Sequence, residues 1–548
     1  MPITEALIRN AFLHGNEVAL TEINPAIREE HGVTWSEFDL VEPNPAKRYR
    51  REITWREFNE QSNRVAHMLL DSGIGEGNKV AMLLMNCLEW LPVYFGILKS
   101  GAVVVPLNYR YTADEIKYCL ELSDSDLLIF GPEFVSRMDE ISDDLPRIRR
   151  FYFVGEDEDR PAYADDLMAR IAHFAAEDPG IELSDADDAA IYFSSGTTGF
   201  PKAILHNHES LLFAGEAEVA HHSQTRDDVF LCIPPLYHTG AKIHWFGSLL
   251  SGSRAVLLRG VRPDWIMRAV SEEGCTVVWL LVPWAQDILD ALDRGDIKLE
   301  DYRLSQWRLM HIGAQPVPPS LIKRWKEYFP HHQYDTNYGL SESMGPGCVH
   351  LGVDNIEHVG AIGVPGWGWK AEIRDANDEA IEVGSGKVGE LCVTGPGLMT
   401  CYYNDEVATA ETLRDGWLYT GDMAEFDDEG FIYLVDRKKD VVISGGENLY
   451  PVQIEDFMHG CDEIKDVAVI GLPDERLGEI AAAIVELKPG SAATEDDINA
   501  FCMALPRYKR PRKIIFDDVP RNATGKIEKP VLRERYNAEG LVGKESKR

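Results

Sequence analysis

Hydrophobic and polar positions first follow a helical period near residue 54. Thr54 and Glu57 have the spacing of a capping box, in which each side chain satisfies a backbone N–H at a helix start. Gly73 is a typical helix stop. Between these signals the apolar side chains recur at helical spacing, at Trp55, Phe58, Val65 and Leu69. The pattern predicts an amphipathic helix that ends before Gly73.

Strand and helix patterns then alternate. Strands separated by helices of this length indicate βαβ units and a parallel sheet. The sequence therefore predicts an α/β fold with a large N-terminal domain built of parallel βαβ sheets. The expected elements are a strand at Lys79–Met85, a helix at Trp90–Leu98, a strand at Val103–Leu107, a helix at Asp114–Leu122 and a strand at Leu127–Phe130.

The pattern changes near residue 389. Strand-like runs separated by turns over Gly389–Asp440 predict antiparallel β structure, which we interpret as a small β-barrel-like subdomain. Beyond Asp440 the pattern becomes mixed and predicts a small α+β C-terminal domain. Its expected elements are a helix at Pro451–Met458, strands at Lys465–Ile470 and Ala481–Leu487, and a helix at Asp496–Ala504. The charged cluster Asp436–Asp440 marks the boundary, although composition alone favours a solvated turn.

Length and charge favour a globular protein of several domains that does not bind nucleic acid. A chain of 548 residues with 45% hydrophobic and 27% charged residues is globular and forms more than one domain. Its 55 basic and 91 acidic residues give a net charge of −36. A nucleic-acid partner is therefore not expected, because binding phosphates requires basic surface.

The cysteine spacing and the length of the apolar runs favour a protein of a reducing compartment. The nine cysteines form no C-x-x-C pair and are expected to be scattered, reduced and mostly buried. No signal peptide is visible at the start. The longest strongly apolar stretch, Thr276–Ala285, is about half the length of a membrane span and is interpreted as a buried strand and turn. We expect a cytoplasmic protein without a transmembrane segment.

The strongest chemical motif is Ser194–Lys202, which follows a predicted strand. It combines four hydroxyls, two glycines and a lysine. Glycines allow backbone N–H groups to turn toward an anion, and the lysine adds a positive charge. The motif predicts a polyphosphate site that is not a Walker A loop. The alternative is a flexible surface turn.

Four other segments gain meaning only together. Three of them have an ordinary explanation: a core histidine for Tyr237-His238, a β-turn aspartate for Tyr419–Asp422 and an exposed lysine for Thr524–Lys526. In Tyr338–Glu342, however, a carboxylate follows an aromatic residue and a glycine. A carboxylate beside a phosphate loop favours Mg²⁺, which is bound by a few protein oxygens together with phosphate oxygens.

In this order, the motifs resemble those of the adenylate-forming acyl-CoA synthetases, the superfamily that includes firefly luciferase and peptide-synthetase adenylation domains. The resemblance covers nearly the whole chain. It departs from the family's commoner pattern at Ser341, where threonine is usual, and at Gln315. The motifs are Ser194–Lys202, Tyr237-His238, Gly313-Ala314, Tyr338–Glu342, Tyr419–Asp422, Asp436–Asp440, Ser444–Asn448 and Pro520–Lys526.

The resemblance implies a two-step ligase. A carboxylic acid attacks the α-phosphate of Mg²⁺·ATP to give an acyl-adenylate and pyrophosphate, and coenzyme A then displaces AMP. A medium- or long-chain fatty acid or an aryl acid is the expected substrate. The implied domains are an adenylation domain at 1–436, a hinge at 437–440 and a mobile C-terminal lid domain at 441–548. Oligomeric state is not readable, and a homodimer stays open.

The resemblance also implies a role for each motif residue. Lys526, Glu342 and His238 are the expected catalytic residues, with Lys526 joining the substrate carboxylate to the α-phosphate. Thr197 and Glu342 are the expected Mg²⁺ ligands, and Lys439 the hinge. The nucleotide-binding residues are Ser194, Ser195, Gly196, Thr197, Thr198, Lys202, Gly313, Ala314, Gln315, Asn337, Tyr338, Ser341, Asp422 and Arg437. Coenzyme A is assigned to Ser444, Gly445, Gly446 and Glu447, and the acyl pocket to Tyr237, His238, Gly339 and Met344.

Three other functions stay open at this point. The first is a luciferase-like oxidoreductase that oxidises its adenylate. The second is an adenylation enzyme that loads a separate carrier protein, because no carrier domain is visible in the chain. The third is a non-catalytic binding protein with the same fold, which the complete set of motifs disfavours.

Overall fold

The fold is described from a computed structural model, which covers residues 1–28, 49–194, 201–313, 317–444, 447–474, 476–521 and 527–537. The chain divides into two compact units. The first unit comprises Met1–Ala371 and Val393–Leu418, and the second comprises Glu372–Cys392 and Tyr419–Arg548. The predicted domain boundary at 437–440 stays a prediction.

Helices and strands alternate through the first unit. Its helices are α1 Thr4–His14, α2 Trp55–Asp71, α3 Trp90–Lys99, α4 Ala113–Leu122, α5 Val135–Ile141, α6 Leu167–Ile171, α7 His208–His222, α8 Thr239–Ser251, α9 Pro263–Glu273, α10 Val282–Arg294, α11 Pro319–Tyr328 and α12 Glu406–Thr412. Its strands are β1 Val18–Ile23, β2 Arg50–Thr54, β3 Lys79–Leu83, β4 Val103–Pro106, β5 Leu127–Phe130, β6 Arg150–Phe153, β7 Ala164–Asp166, β8 Asp188–Ser194, β9 Lys202–Asn207, β10 Val229–Cys232, β11 Arg254–Leu258, β12 Val277–Leu281, β13 Leu309–Gly313, β14 Gln333–Asp335, β15 Asn337–Leu340, β16 Gly345–His350 and β17 Val364–Pro365.

Three sheets organise these strands. An eight-stranded sheet has the order β20-β9-β8-β4-β3-β5-β6-β7, where β20 is Cys401–Tyr402. Its strands from β8 to β7 are parallel, and β9 and β20 are antiparallel to their neighbours. A seven-stranded sheet, β14-β13-β12-β10-β11-β1-β2, is parallel except for β2, and β15-β16-β17 form a third. The predicted parallel βαβ architecture is confirmed.

The remaining strands are β21 Leu413–Arg414, which belongs to the first unit, and the strands at the division or beyond it. Three strands contain a point where the chain passes from one unit to the other: β18 Lys370–Arg374, β19 Gly389–Thr394 and β22 Trp417–Phe426. In the second unit, β23 Ile432–Arg437 runs antiparallel to β22. A further sheet joins β24 Val442–Ser444, β25 Glu447–Leu449, β26 Ile464–Asp474, β27 Gly478–Leu487 and β28 Lys513–Phe516, with helices α13 Pro451–Met458, α14 Glu495–Cys502 and α15 Lys529–Asn537.

The predicted capping box is present at the start of α2. The Thr54 side chain accepts a hydrogen bond from the Glu57 N–H, and the Thr54 N–H donates to Glu57 Oε2 at 2.8 Å. The apolar face of α2 packs into the core of the first unit, where Phe58 lies 6.0 Å from the ring of Trp245. Helix α3 approaches α2 very closely, since a Cβ placed at Gly96 would lie 2.4 Å from the Val65 Cβ.

One expected element is wrong. The stretch Thr276–Ala285 was expected to be a strand and a turn, but β12 leads directly into helix α10. Pro283 lies in the first turn of α10, where its fixed φ and missing N–H are tolerated. Ile288, Leu289 and Leu292 then continue a buried helical face that extends past the apolar run. No helix among the described residues has the length and apolar character needed to cross a membrane.

All nine cysteines are free, as expected from their spacing. Seven are buried, and Cys401 and Cys461 are partly buried. Burial raises the thiol pKa at seven of them, namely Cys87, Cys119, Cys232, Cys275, Cys392, Cys401 and Cys502.

Candidate active site

The two ends of the predicted phosphate loop lie on neighbouring antiparallel strands. Ser194 is the last residue of β8 and Lys202 the first of β9, and the two are paired across the ladder. Both are half-buried. The residues between them that were assigned to the nucleotide, Ser195, Gly196, Thr197 and Thr198, lie outside the described residues.

Tyr402 joins the lysine of this motif to the acidic motif. The Lys202 Nζ atom lies 4.4 Å from the centroid of the Tyr402 ring, which is a cation–π distance. The Tyr402 hydroxyl donates a hydrogen bond of 2.8 Å to Glu342 Oε1, and Glu342 is buried. Burial and the adjacent Glu342 carboxylate raise the pKa of Tyr402, so its hydroxyl remains a donor.

Sequence reasoning missed Tyr402. It lies in the two-residue strand β20, which pairs with β9 so that Tyr402 faces Ile204 across the ladder. In the sequence it is 60 residues from Glu342. An aromatic residue in a short apolar segment is typical of a core position, and no local spacing relates it to the acidic motif. The sheet pairing alone brings it there.

A second contact fixes the backbone of the acidic motif. His206 Nε2 lies 2.8 Å from the carbonyl oxygen of Ser341. Burial lowers the pKa of His206 to about 4, so its ring is neutral near pH 7. Because a carbonyl can only accept, the Nε2–H donates to Ser341. His206 on β9 therefore holds Ser341, and Tyr402 on β20 holds Glu342.

Other residues assigned to the nucleotide lie at the ends of two strands. Gly313 ends β13, and Asn337 and Tyr338 begin β15. Asn337 Nδ2 lies 3.4 Å from Glu218 Oε1 in the interior, and Tyr338 is buried with its carbonyl oxygen 3.2 Å from Cys348 Sγ. Ala314 and Gln315 lie outside the described residues.

The residues assigned to the acyl pocket differ in exposure. Tyr237 is buried, with its ring 5.1 Å from the Tyr109 ring, whereas His238 is exposed immediately before α8. Gly339 is half-buried and Met344 is fully buried.

The turn that carries Met344 packs against the start of α8. At Gly345 φ is +89°, and a Cβ would lie 3.0 Å from the Thr239 side chain. Glycine at this position therefore allows both the left-handed backbone and the close packing.

In the second unit, Asp422 and Arg437, which are both assigned to the nucleotide, form an ion pair. They face each other across β22 and β23, and Arg437 Nε lies 2.6 Å from Asp422 Oδ1. Asp422 is buried and Arg437 is partly exposed. The carboxylate is thus fixed by a charged hydrogen bond and remains an acceptor for hydroxyl groups.

The predicted hinge and thiol segments also belong to the second unit. Lys439 is exposed, and its neighbour Asp440 is paired with Arg533 at 2.7 Å. Ser444 pairs with Glu447 across β24 and β25. Gly445, Gly446 and Lys526 lie outside the described residues.

Comparison with known proteins identifies the family. Residues 41–403 match the AMP-binding enzyme family, and residues 453–526 match the AMP-binding enzyme C-terminal domain. The chain is 33% identical over 483 residues to the long-chain-fatty-acid–CoA ligase FadD13 of Mycobacterium tuberculosis, covering 88% of this chain and 92% of the relative. It is 32% identical to a feruloyl-CoA synthase of Amycolatopsis, covering 87% of this chain and 93% of the relative.

Solved structures of related proteins align with nearly the whole chain. A Mycobacterium tuberculosis fatty acyl CoA synthetase aligns with a TM-score of 0.74 and 30% identity over 98% of both chains. ATP-bound MatB from Rhodopseudomonas palustris aligns with a TM-score of 0.83 and 25% identity, covering 98% of this chain and 99% of that one. The chain belongs to the AMP-binding enzyme family, and within it to the adenylate-forming CoA ligases.

Proposed function

We propose that this enzyme joins a medium- or long-chain fatty acid or an aryl acid to coenzyme A. In the first step a carboxylate oxygen attacks the α-phosphorus of ATP and pyrophosphate leaves. In the second step the coenzyme A thiol loses its proton and attacks the acyl carbon, and AMP leaves. The linked contacts Lys202–Tyr402–Glu342 support this function most strongly, because they hold a cation and a carboxylate where the phosphate motif ends.

We assign the phosphates of ATP to Ser194, Lys202 and the glycine–threonine segment between them. Glu342 suits Mg²⁺, because it is a buried carboxylate that offers a hard oxygen ligand. Glu342 and Thr197 would hold the ion, which lowers the negative charge on the phosphates when bound. Tyr402 orients Glu342 through its hydroxyl and is a positioning residue.

The remaining nucleotide contacts are assigned by residue chemistry. The Asp422 carboxylate can accept from both ribose hydroxyls while Arg437 holds it in place. Tyr338, with Asn337, Gly313, Ala314 and Gln315, is assigned to adenine. Lys526 is assigned to the reacting groups, where a fixed cation offsets the repulsion between carboxylate and phosphate.

The second step is assigned to the C-terminal region. Ser444, Gly445, Gly446 and Glu447 would line the path of the pantetheine arm, where glycines leave room for a thin chain. Lys439 would be the hinge that exchanges this segment for Lys526 between the two steps. His238 would lie where acid and thiol meet, since it is exposed at the start of α8.

The class of acid rests on the relatives and on the pocket segments. The relatives are named for fatty acids and for a feruloyl group. Gly339 and its glycine-rich neighbours leave room for a chain or a ring beside Tyr237 and Met344. We place the enzyme in the cytoplasm, which fits nine free cysteines.

The test is pyrophosphate release from Mg²⁺·ATP with a panel of fatty and aryl acids, each with and without coenzyme A. We expect turnover that depends on coenzyme A and falls at least about 100-fold in Lys526→Ala, the loss typical of removing a key charge at the reacting atoms. Lys465→Ala is the matched control, because Lys465 forms a surface pair with Glu486. Turnover that prefers acetate would contradict the proposed acid class, and no release with any acid would contradict the function.

A further inference from the structure

Six ionisable side chains meet in the core of the first unit. They come from helices α7 and α8 and from strands β13, β14 and β16. None of them is more than 2% exposed. They are Glu218, His222, His244, His311, Asp335 and His350.

Three of these side chains converge on one point. Glu218 and His222 are one helical turn apart on α7, so they lie on the same face. Glu218 Oε2 is 3.1 Å from His222 Nδ1 and 2.5 Å from His244 Nδ1. The three ligand atoms all lie within 4.8 Å of one another.

These short distances do not have the geometry of hydrogen bonds. Within the described part of the chain, Glu218 Oε2, His222 Nδ1 and His244 Nδ1 all lack a hydrogen-bond partner. Leaving a buried polar atom without a partner is costly, so three such atoms pointing at one another need a common partner. Ligand atoms around a metal ion have this arrangement, because their lone pairs point at the ion and not at each other.

The contact between His222 and Asp335 resembles the carboxylate contact that orients histidines at metal centres. His222 Nε2 lies 2.8 Å from Asp335 Oδ2, which leaves Nδ1 free to bind an ion. Asp335 Oδ1 in turn accepts from the Gly352 N–H at 2.8 Å. A carboxylate that receives the other ring N–H of a histidine fixes its tautomer and orientation at metal centres.

The charge of the cluster also favours a bound cation. Glu218 and Asp335 are fully buried carboxylates, and every ion-pair partner they have among the described residues is a histidine. Buried carboxylates need paired charge or a metal. One divalent cation would balance both carboxylates with all the imidazoles neutral.

We propose that Glu218, His222 and His244 bind one divalent transition-metal ion of the Zn²⁺ type, with Asp335 orienting His222. Two imidazoles and a carboxylate suit Zn²⁺, whereas Mg²⁺ and Ca²⁺ prefer oxygen ligands.

The ion would stabilise the adenine side of the candidate active site. Asn337 Nδ2 lies 3.4 Å from Glu218 Oε1, and Asn337 directly precedes Tyr338 on β15. This ion is separate from the Mg²⁺ assigned to Glu342, and its role is structural. The proposal does not depend on which acid the enzyme activates.

The test measures metal content. Untagged full-length protein is purified without chelator from cells grown with added Zn²⁺ and analysed by elemental mass spectrometry in the absence of ATP. We expect about one equivalent of metal in the wild type and less than about one tenth in His244→Leu and Glu218→Gln. His332→Ala is the matched control, because His332 is buried elsewhere, beside Trp307 and Phe329, and should keep the full equivalent.

A second measurement protects the test against a variant that fails to fold. Co²⁺-loaded wild-type protein should show visible d–d absorption of a nitrogen and oxygen site, and Zn²⁺ should abolish it. Added Zn²⁺ should also raise the Tm of metal-depleted wild type, because a ligand that binds only the native state stabilises it. Wild type without metal and without a Co²⁺ spectrum would overturn the proposal, as would undiminished metal in folded His244→Leu.

Discussion

At the scale of single residues, Tyr402 shows how one hydroxyl can organise a charged site. Its ring faces Lys202 and its oxygen holds Glu342, so a single side chain touches both charges. The ring and the hydroxyl can be separated by mutation, because phenylalanine keeps the first contact and removes the second.

Tyr402→Phe should lower kcat for pyrophosphate release by roughly 10-fold or more, because a hydrogen bond to a charged group contributes about 1.5–3 kcal/mol. The KM for the acid should change little. Tyr403→Phe is the matched control, since the Tyr403 hydroxyl donates to Asp124 instead. Equal losses in the two variants would show that Tyr402 acts only through general packing.

The pair in the second unit allows a test of the ribose assignment. Asp422→Asn should raise the KM for ATP about 10-fold or more, because the neutral amide loses the ion pair with Arg437 and is a weaker acceptor for two hydroxyls. Glu372→Gln, which breaks the pair with Arg374, is the control. An unchanged KM for ATP in Asp422→Asn would contradict the assignment.

The sequence allowed some of these residues to be predicted but not others. Ser194, Lys202 and Glu342 stand in motifs whose chemistry is local. Tyr402 and the cluster around His222 are assembled by sheet pairing and helix packing between distant segments, so no spacing reveals them. The same reason explains why Glu218 and His244 look like ordinary core residues in the sequence.

At the scale of elements, prediction succeeded where both ends of an element carried a signal. Helix α2 has a capping box at Thr54 and an apolar face that packs into the core of the first unit. The helix α10 was missed because its first residues continue an apolar strand without any polar break. The close approach of α2 and α3 was also invisible, although Gly96 makes it possible.

Gly96→Ala should lower the free energy of unfolding by about 1–3 kcal/mol, the usual range for overpacking. The added methyl would lie 2.4 Å from Val65 Cβ and 2.8 Å from the Ser62 carbonyl oxygen, so α2 and α3 would have to separate. Thermal unfolding measures the effect. Gly75→Ala is the control, because its Cβ would meet nothing closer than 3.4 Å. Similar melting temperatures for the two variants would contradict the prediction.

At the scale of the whole molecule, the second unit contains a buried carboxyl group that should make its stability depend on pH. In the second unit, burial raises the pKa of Asp436 from the ordinary 3.8 to about 6, although the charge of Lys529 opposes the shift. Its carboxylate accepts from the Arg437 and Val452 N–H groups.

Because the folded pKa of Asp436 is raised, its contribution to stability is complete below about pH 4 and is lost as pH rises through about 6. Asp436→Asn stays neutral, so its Tm relative to wild type should increase between these values and then level off. Calorimetry of the full chain across this range gives the measurement. Asp428→Asn, at a solvated turn, serves as the control. A pH-independent difference for Asp436→Asn would contradict the shift.

The burial of the cysteines has a chemical consequence for an enzyme that makes acyl-adenylates. A mixed anhydride of this kind acylates any thiolate it meets, and coenzyme A is the intended acceptor. A raised pKa keeps seven of the chain's own thiols protonated, and protonated thiols are poor nucleophiles. The fold thereby protects the protein from modifying itself with its own intermediate.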